Sequence, residues 1–166
     1  MSSERVFNVV VAGLGGQGVV KASDILAEAA FRAGYDVKKA EIHGMSQRGG
    51  SVASDVRFGP AVQSPMITPG EADFLVVLAP DQVDVNRRML RAGGLLITPA
   101  DLEGRGKPHA KGLNVALMGA LSSHLPIPEE AWVDALRAIL PEKYHRLNLE
   151  AFAIGRRAAA LDEAPA

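Results

Sequence analysis

The sequence of 166 residues contains no cysteine, and this absence excludes several kinds of chemistry. A chain without cysteine forms no disulfide, offers no thiolate nucleophile and supplies no thiolate ligand to an iron–sulfur cluster or a cysteine-based zinc site. A surplus of basic residues is also lacking, since 18 lysines and arginines stand against 19 acidic residues. The composition therefore does not predict a nucleic-acid-binding protein.

The sequence also lacks segments that would direct it to a membrane. Its first residues, MSSERVF, have neither the basic nor the apolar region of a signal peptide. No apolar run approaches the ~20 residues that a membrane-spanning helix needs. A cytoplasmic location without membrane contact is expected. With 48% hydrophobic and 22% charged residues, residues 1–166 are expected to form a single domain.

Catalytic and metal-binding motifs are missing as well. The sequence has no GxSxG elbow, no HExxH helix and no GxxxxGK[ST] phosphate loop. Its four histidines do not have metal-ligand spacing, and His43 is expected to form loop hydrogen bonds rather than to act as a base. No catalytic residue and no metal ligand is assigned. The residues by themselves describe an α/β domain that binds a ligand or a partner.

The main pattern present is a glycine-rich turn between an apolar strand and an amphipathic helix. The predicted strand covers residues 6–12, GLGGQG follows, and apolar residues at helical spacing predict a helix over 18–33. Such a turn presents backbone N–H groups and a positive helix end, which suit an anion. Gly13 is expected to allow the tight turn, Gly15 the close approach of a ligand or of another backbone, and Gly18 the packing of helix on strand. Simple close packing is the alternative to phosphate binding.

A second glycine cluster, HGMSQRGG, follows the next predicted strand, residues 35–42. Residues 51–58 alternate in polarity and predict a half-exposed strand. The loop before them is too short for a parallel crossover, so antiparallel pairing and a mixed sheet are expected. This cluster leaves the edge of the sheet where open α/β folds bind ligands. Arg48 offers a two-point contact to a carboxylate or phosphate, and a structural contact to a neighbouring carboxylate or subunit is the alternative.

A dinucleotide site is one interpretation of the first glycine turn. It requires an acidic residue about 20 positions later, at the end of the second strand, to bind a ribose hydroxyl. Glu41 lies near that position, whereas Asp36 begins the strand and lies at the wrong end. The chain after Glu41 continues into HGMSQRGG rather than into a crossover helix, which disfavours NAD or FAD.

The rest of the chain predicts further strands and helices. In order, the segments are a connector over residues 59–70, a buried parallel strand over 74–79, a helix over 81–91, an interruption of regular structure at Gly93–Gly94, a strand over 95–98, an exposed loop over 101–112, and helices over 113–124, 128–140 and 148–160. The fold class is a Rossmann-like three-layer α/β domain, with a mostly parallel (mixed) sheet and helices on both faces. The basic residues of the exposed loop are expected to be solvated, with binding of an acidic partner or of ligand phosphates as the alternative: Arg105, Lys107, His109 and Lys111.

Several segments resemble a known family. GLGGQGVVKASDILAEAA and AEIHGMSQRGGSVASDVRFG resemble the gamma module of the 2-oxoacid:ferredoxin oxidoreductases, and the form HGMSQRGG is most similar to the indolepyruvate branch. GEADFLVVLAP, NVALMGAL and NLEAFAIGR also resemble family segments. The resemblance spans nearly the whole chain and implies one domain of the pyruvate/ketoisovalerate oxidoreductase gamma type.

The resemblance implies an oxidoreductase subunit, inactive alone, in the oxidative decarboxylation of an aryl 2-oxoacid with coenzyme A to acyl-CoA, carbon dioxide and reduced ferredoxin. It implies a large partner subunit that carries thiamine diphosphate and iron–sulfur clusters, with ferredoxin reached through the complex. No cofactor is expected to bind this chain firmly, and coenzyme A is the candidate ligand. A stand-alone module that binds NAD, FAD or coenzyme A, and a non-catalytic interaction domain, are the alternatives; the isolated chain could also associate with itself. The residues expected to bind a cofactor lie in the two glycine loops: Gly13, Gly15, Gly16, Gln17, Gly18, Ser46, Arg48, Gly49 and Gly50.

Overall fold

A computed structural model describes residues 4–43 and 50–163. Its single sheet lies in the strand order β2-β3-β1-β4-β5. The strands are β1 (Phe7–Leu14), β2 (Asp36–His43), β3 (Ser51–Gly59), β4 (Ala72–Val77) and β5 (Leu90–Ile97). β3 is antiparallel to both of its neighbours, whereas β1, β4 and β5 pair in parallel. The predicted α/β class with a mixed, mostly parallel sheet is confirmed.

Helices lie on both faces of the sheet, but unequally. They are α1 (Val19–Arg32), α2 (Val83–Asn86), α3 (Leu113–Ser122), α4 (Glu129–Ile139) and α5 (His145–Glu163). The four longer helices share one large apolar cluster with one face of the sheet. The short α2 contributes to a smaller cluster on the opposite face. In the described residues no helix has both the length and the apolar character needed to cross a membrane.

The central strand β1 is apolar along most of its length because both of its faces are covered. Val9 and Val11 belong to the large cluster, whereas Val10 and Ala12 belong to the smaller one. All four side chains are at most 1% exposed. A strand buried on both faces has a continuous apolar run rather than an alternating one, as the sequence predicted.

The expectation that β3 is half-exposed is wrong. β3 does pair antiparallel with β2, as predicted, but it also pairs with β1, and Asp55 is 1% exposed. The connector after β3 covers this part of the sheet, because the Ile67 N–H donates to Asp55 Oδ2 at 3.0 Å and the Val62 N–H donates to Asp36 Oδ2 at 2.7 Å. Burial raises the pKa of the Asp55 carboxyl. The alternation of apolar and polar residues in β3 predicted which side chains share a face of the strand, but it did not predict that both faces are covered.

The helix predicted over residues 81–91 is not continuous. Two 3₁₀ turns, Pro80–Gln82 and Arg87–Met89, flank the single turn of α2. Val83 and Met89 pack with the smaller apolar cluster, so this segment covers the second face of the sheet. β5 begins directly afterwards, which leaves no room for a longer helix.

The glycine pair that was expected to interrupt regular structure, Gly93–Gly94, lies inside β5. Gly93 has a φ of +77°, and a Cβ on Gly94 would lie 2.6 Å from Leu90 Cδ1. The pairing of β5 with β4 is irregular in this part of the strand. The two glycines therefore accommodate a bulge in a longer strand rather than a loop before a short one.

Helices α3 and α5 cross with their backbones in close contact. Gly119 on α3 faces the Phe152 carbonyl, and Gly155 on α5 faces the Ala116 carbonyl. A Cβ on either glycine would overlap the facing carbonyl oxygen. This close crossing fixes the start of α5 beside the start of α3, where the candidate site lies.

Candidate functional site

Strands β1, β2, β4 and β5 run in the same direction, since β1 and β2 are both antiparallel to β3. Their C-terminal ends lie at one edge of the sheet, which we call the carboxyl edge. β1 ends there at Leu14, and β3 begins there at Ser51, the residue that pairs with Leu14. The N–H of Gly15 donates to the carbonyl oxygen of Gly50 at 2.9 Å. The first glycine turn therefore contacts Gly50, the described residue of the second glycine cluster.

Part of the predicted site can be placed in the structure. Gly13, Gly15, Gly16, Gln17, Gly18 and Gly50 are described, and all lie at the carboxyl edge. Ser46, Arg48 and Gly49 lie outside the described residues. Ligand binding by any of the nine stays a prediction.

The side chain of Gln17 holds the first glycine turn together. Its Oε1 accepts a hydrogen bond from the Leu14 N–H at 2.7 Å, and the Gln17 N–H donates to the Leu14 carbonyl at 3.2 Å. Gly13 lies inside β1, and a Cβ there would lie 2.7 Å from Gln17 Oε1 and 3.2 Å from Leu78 Cβ. Gly13 allows the turn, as expected, but it does so from within the strand, because its missing side chain makes room for Gln17 and Leu78.

Two other glycines give the turn its backbone conformation. Gly16 and Gly18 have φ values of +87° and +85°, in the left-handed region that favours glycine. A Cβ on Gly16 would meet nothing within 4 Å, whereas a Cβ on Gly18 would overlap the Asn114 side-chain amide. Gly18 was expected to allow packing of α1 on β1, but the contact that it permits is with α3.

Asn114 is a site residue that sequence reasoning missed. Its Nδ2 donates to the Gly18 carbonyl oxygen at 3.1 Å, and the residue is 8% exposed. This bond ties the start of α3 to the start of α1. The available signal was an asparagine near a helix start, directly after Gly112 and Leu113. Nothing in the sequence indicated that this helix start faces the glycine turn.

The starts of α1 and α3 both present uncapped backbone groups to the carboxyl edge. Gly18 is the N-cap of α1 and Gly112 is the N-cap of α3, so neither helix has a side-chain cap. The first N–H groups of a helix have no partner within the helix, and the helix dipole adds partial positive charge. Two such ends, joined through Asn114, favour an anion at this edge.

A cleft of about 540 Å³ opens beside the glycine turn, and we call it the glycine cleft. The glycine turn and the starts of α3 and α5 form its walls. Lys21 and Lys111 line it and are exposed, and none of its described lining residues is acidic. Apolar side chains form much of the remaining wall: Leu78, Leu113, Val115, Leu140 and Leu147. The cleft can hold a molecule that is anionic at one end and apolar at the other.

In the basic loop that was predicted to be solvated, some residues bond to the rest of the fold and some line clefts. Arg105 Nη1 donates to the Ala158 carbonyl at 3.2 Å, which attaches the loop to α5. His109 Nδ1 accepts the Lys111 N–H at 3.2 Å and caps a short 3₁₀ turn. Lys107 and His109 line one cleft, and Lys111 lines another. The expectation of a purely solvated run is therefore wrong for part of the loop.

The acidic residue expected to bind a ribose hydroxyl is not beside the glycine turn. β3 separates β2 from β1, so Glu41 lies two strands away, about 10 Å at the usual strand spacing. Glu41 is level with Ser54, which is level with Val11 rather than with the end of β1. Lys39 forms an ion pair with the Glu41 carboxylate and holds its pKa below the ordinary value. This position and this pairing do not support the dinucleotide interpretation.

Known proteins match the chain along most of its length. A family model described as pyruvate ferredoxin/flavodoxin oxidoreductase matches residues 8–112. The chain is similar to indolepyruvate oxidoreductase subunit IorB of Thermococcus kodakarensis, with 34% identity in an alignment that covers 93% of this chain and 96% of that protein.

Solved structures with the same fold include oxidoreductase subunits. The gamma subunit of a keto/oxoacid ferredoxin oxidoreductase from Geobacter sulfurreducens is 25% identical with a TM-score of 0.77, over 93% of this chain and 99% of that one. A 2-oxoglutarate:ferredoxin oxidoreductase from Magnetococcus marinus, solved with 2-oxoglutarate, coenzyme A and succinyl-CoA bound, is 21% identical with a TM-score of 0.79. That match covers 96% of this chain and 32% of that one, and it shows a shared fold.

Proposed function

Because the chain belongs to the pyruvate ferredoxin/flavodoxin oxidoreductase family, as a small IorB-like subunit of a 2-oxoacid:ferredoxin oxidoreductase, we propose that it serves in the decarboxylation of an aryl 2-oxoacid. In this reaction the carboxyl group leaves as carbon dioxide, the remaining acyl group joins the sulfur of coenzyme A, and the electrons reduce ferredoxin. The indolepyruvate name of the similar proteins supports the aryl substrate.

The observation that carries the proposal is that the glycine turn after β1, which contacts Gly50, lines a cleft together with Lys21 and Lys111. Ligands of open α/β sheets bind at the carboxyl edge, and phosphate groups favour helix N-termini. We place the diphosphate of coenzyme A between the two lysines, at the starts of α1 and α3. The uncharged pantetheine arm then follows the leucine-rich wall of the cleft.

The proposed role of this chain is to hold and orient coenzyme A for chemistry that takes place on a larger subunit. Thiamine diphosphate on that subunit would stabilise the carbanion left by decarboxylation, and iron–sulfur clusters there would carry electrons to ferredoxin. The lack of cysteine in this chain agrees with clusters that are bound elsewhere. Lys21 and Lys111 would fix the phosphates, and the turn held by Gln17 and Asn114 would keep the N–H groups in place. The isolated chain is therefore expected to be inactive.

The proposal is tested in the complex of this chain with its larger subunit, by 2-oxoacid-dependent reduction of a viologen or of ferredoxin. Lys21→Gln and Lys111→Gln are each expected to raise KM for coenzyme A up to about fivefold, since an exposed charge pair contributes at most about 1 kcal/mol. Arg88→Gln is the matched control, because Arg88 is exposed and precedes β5 at the opposite edge of the sheet. Its KM should equal that of the unchanged protein.

Three results would contradict the proposal in different ways. If no larger subunit restores turnover, the assignment to this reaction is wrong. If both lysine variants keep the original KM, the glycine cleft does not bind coenzyme A. If the variants assemble poorly with the larger subunit but the complex that does form keeps the original KM, the carboxyl edge is an interface, as the interaction-domain alternative predicts.

A further inference from the structure

A second basic cleft adjoins the glycine cleft, and we call it the α5 cleft. Its volume is about 450 Å³, and the loop before α3 and the first turns of α5 form its walls. Lys107 and His109 line it from the loop, and Lys143 and Arg146 line it from the region where α5 begins. Leu147 lines both clefts. The chain passes from the α5 cleft at His109 into the glycine cleft at the next residue.

Positive charge predominates in the α5 cleft. Glu150 is the acidic residue among its described lining residues. It forms an ion pair with Arg146 at 3.4 Å, but the two side chains are 66% and 93% exposed, so the pair contributes little. Lys143 Nζ lies 5.0 Å from the centre of the Tyr144 ring, and Tyr144 lines the glycine cleft. Lys143 is thereby placed near the boundary between the two clefts.

The two clefts match the arrangement of charges on a particular class of ligand. Basic residues on a convex surface are ordinarily solvated, whereas these line two adjoining concave sites. A ligand that carries two separate anionic groups a short distance apart suits this arrangement. Coenzyme A has this feature, because its ribose bears a 3′-phosphate as well as the 5′-diphosphate.

We propose that the α5 cleft binds the ribose 3′-phosphate of coenzyme A through Lys107 and Lys143. This inference rests on the proposed function, which places the diphosphate of the same molecule in the glycine cleft. Arg146 lies at the same wall and is shared with Glu150. The α5 cleft then distinguishes coenzyme A from nucleotides that have the same diphosphate but no 3′-phosphate.

The test compares coenzyme A with dephospho-coenzyme A, which lacks only the 3′-phosphate. The complex with the larger subunit is titrated with each ligand to obtain Kd, and KM for each is measured by viologen reduction. The unchanged protein is expected to prefer coenzyme A. In the double variant Lys107→Gln/Lys143→Gln this preference should fall at least fivefold, through weaker binding of coenzyme A, while Kd for dephospho-coenzyme A stays within twofold.

A double variant that removes two positive charges elsewhere is the matched control. Arg88→Gln/Arg137→Gln changes two exposed arginines that line neither cleft in the described part of the chain, and the preference should be unchanged. Equal binding of both ligands by the unchanged protein, or a preference that survives in the Lys107→Gln/Lys143→Gln variant, overturns the inference while the proposed function stands. A complex that does not consume coenzyme A overturns both.

Discussion

Replacing Gly16 and Gly18 by alanine, one at a time, separates backbone strain from crowding in the glycine turn. The two residues have nearly equal φ values, so each substitution places a Cβ in the left-handed region at a cost of about 1–2 kcal/mol. A Cβ on Gly16 meets open space, whereas a Cβ on Gly18 displaces Asn114 and breaks its bond to the Gly18 carbonyl, which costs about 1 kcal/mol more. The expected losses in the free energy of unfolding are about 1–2 kcal/mol for Gly16→Ala and about 2–3 kcal/mol for Gly18→Ala.

The same reasoning is checked by combining Gly18→Ala with Asn114→Ala. Without the Asn114 side chain only strain remains, so the cost of Gly18→Ala should fall to that of Gly16→Ala, with a coupling energy of about 1 kcal/mol. Trp132 is the single tryptophan and is fully buried, so its fluorescence reports unfolding in urea. Equal losses for the two glycine variants, or a Gly18→Ala loss that Asn114→Ala leaves unchanged, would refute the contact between α1 and α3 as the source of the difference.

Two further predictions concern the fold that supports this turn. Gly155→Ala is expected to lower the melting temperature in calorimetry, although alanine favours helices. Its Cβ would overlap the Ala116 carbonyl, and such overpacking costs about 1–3 kcal/mol. A stabilised variant would contradict the close crossing of α3 and α5. Asp55→Asn removes the buried carboxyl group; because the pKa of this group is raised, the folded chain binds the Asp55 proton more tightly than the unfolded chain does. The stability that Asp55 contributes at acid pH is therefore lost as the pH rises from its ordinary pKa to the raised one. The free energy of unfolding of the variant, relative to the unchanged protein, should rise across this window and then level off in urea titrations from about pH 4 to about pH 8. A difference that is constant with pH would show that Asp55 has no raised pKa.

The sequence correctly predicted the strands and helices in which the spacing of apolar residues shows which faces are buried. Residues 6–12 form most of β1 because a continuous apolar run requires cover on both faces, and residues 128–140 contain α4 because their apolar residues lie on one face. Residues 81–91 have a weaker helical spacing of apolar residues. The prediction of one continuous helix there is wrong, because packing of Val83 and Met89 on the sheet overrides the helical preference of the segment. The position of β3 beside β1 depends on hydrogen bonds between residues about forty positions apart, which no local pattern reports.

The candidate site shows the same division between local and distant information. The glycine turn could be predicted because strand, glycines and helix are consecutive in the chain. Its partner Asn114 is 96 residues from Gly18, and Lys21 and Lys111 meet at one cleft only after α1 and α3 have packed. The sequence marked Lys111 as part of a basic loop but could not indicate which cleft it lines.

The place of β3 in the sheet has a consequence for synthesis of the protein. β1 and β2 emerge first from the ribosome, yet they do not pair with each other. β2 pairs with β3, and β1 pairs with β3 and β4, so neither has a neighbour until β3 has been translated. During that interval the nascent chain carries two unpaired strands and an α1 whose apolar face has no sheet to cover it, a condition that favours association with other chains. The time that passes before residues 51–59 have emerged from the ribosome therefore sets how long the nascent chain stays exposed to misassembly.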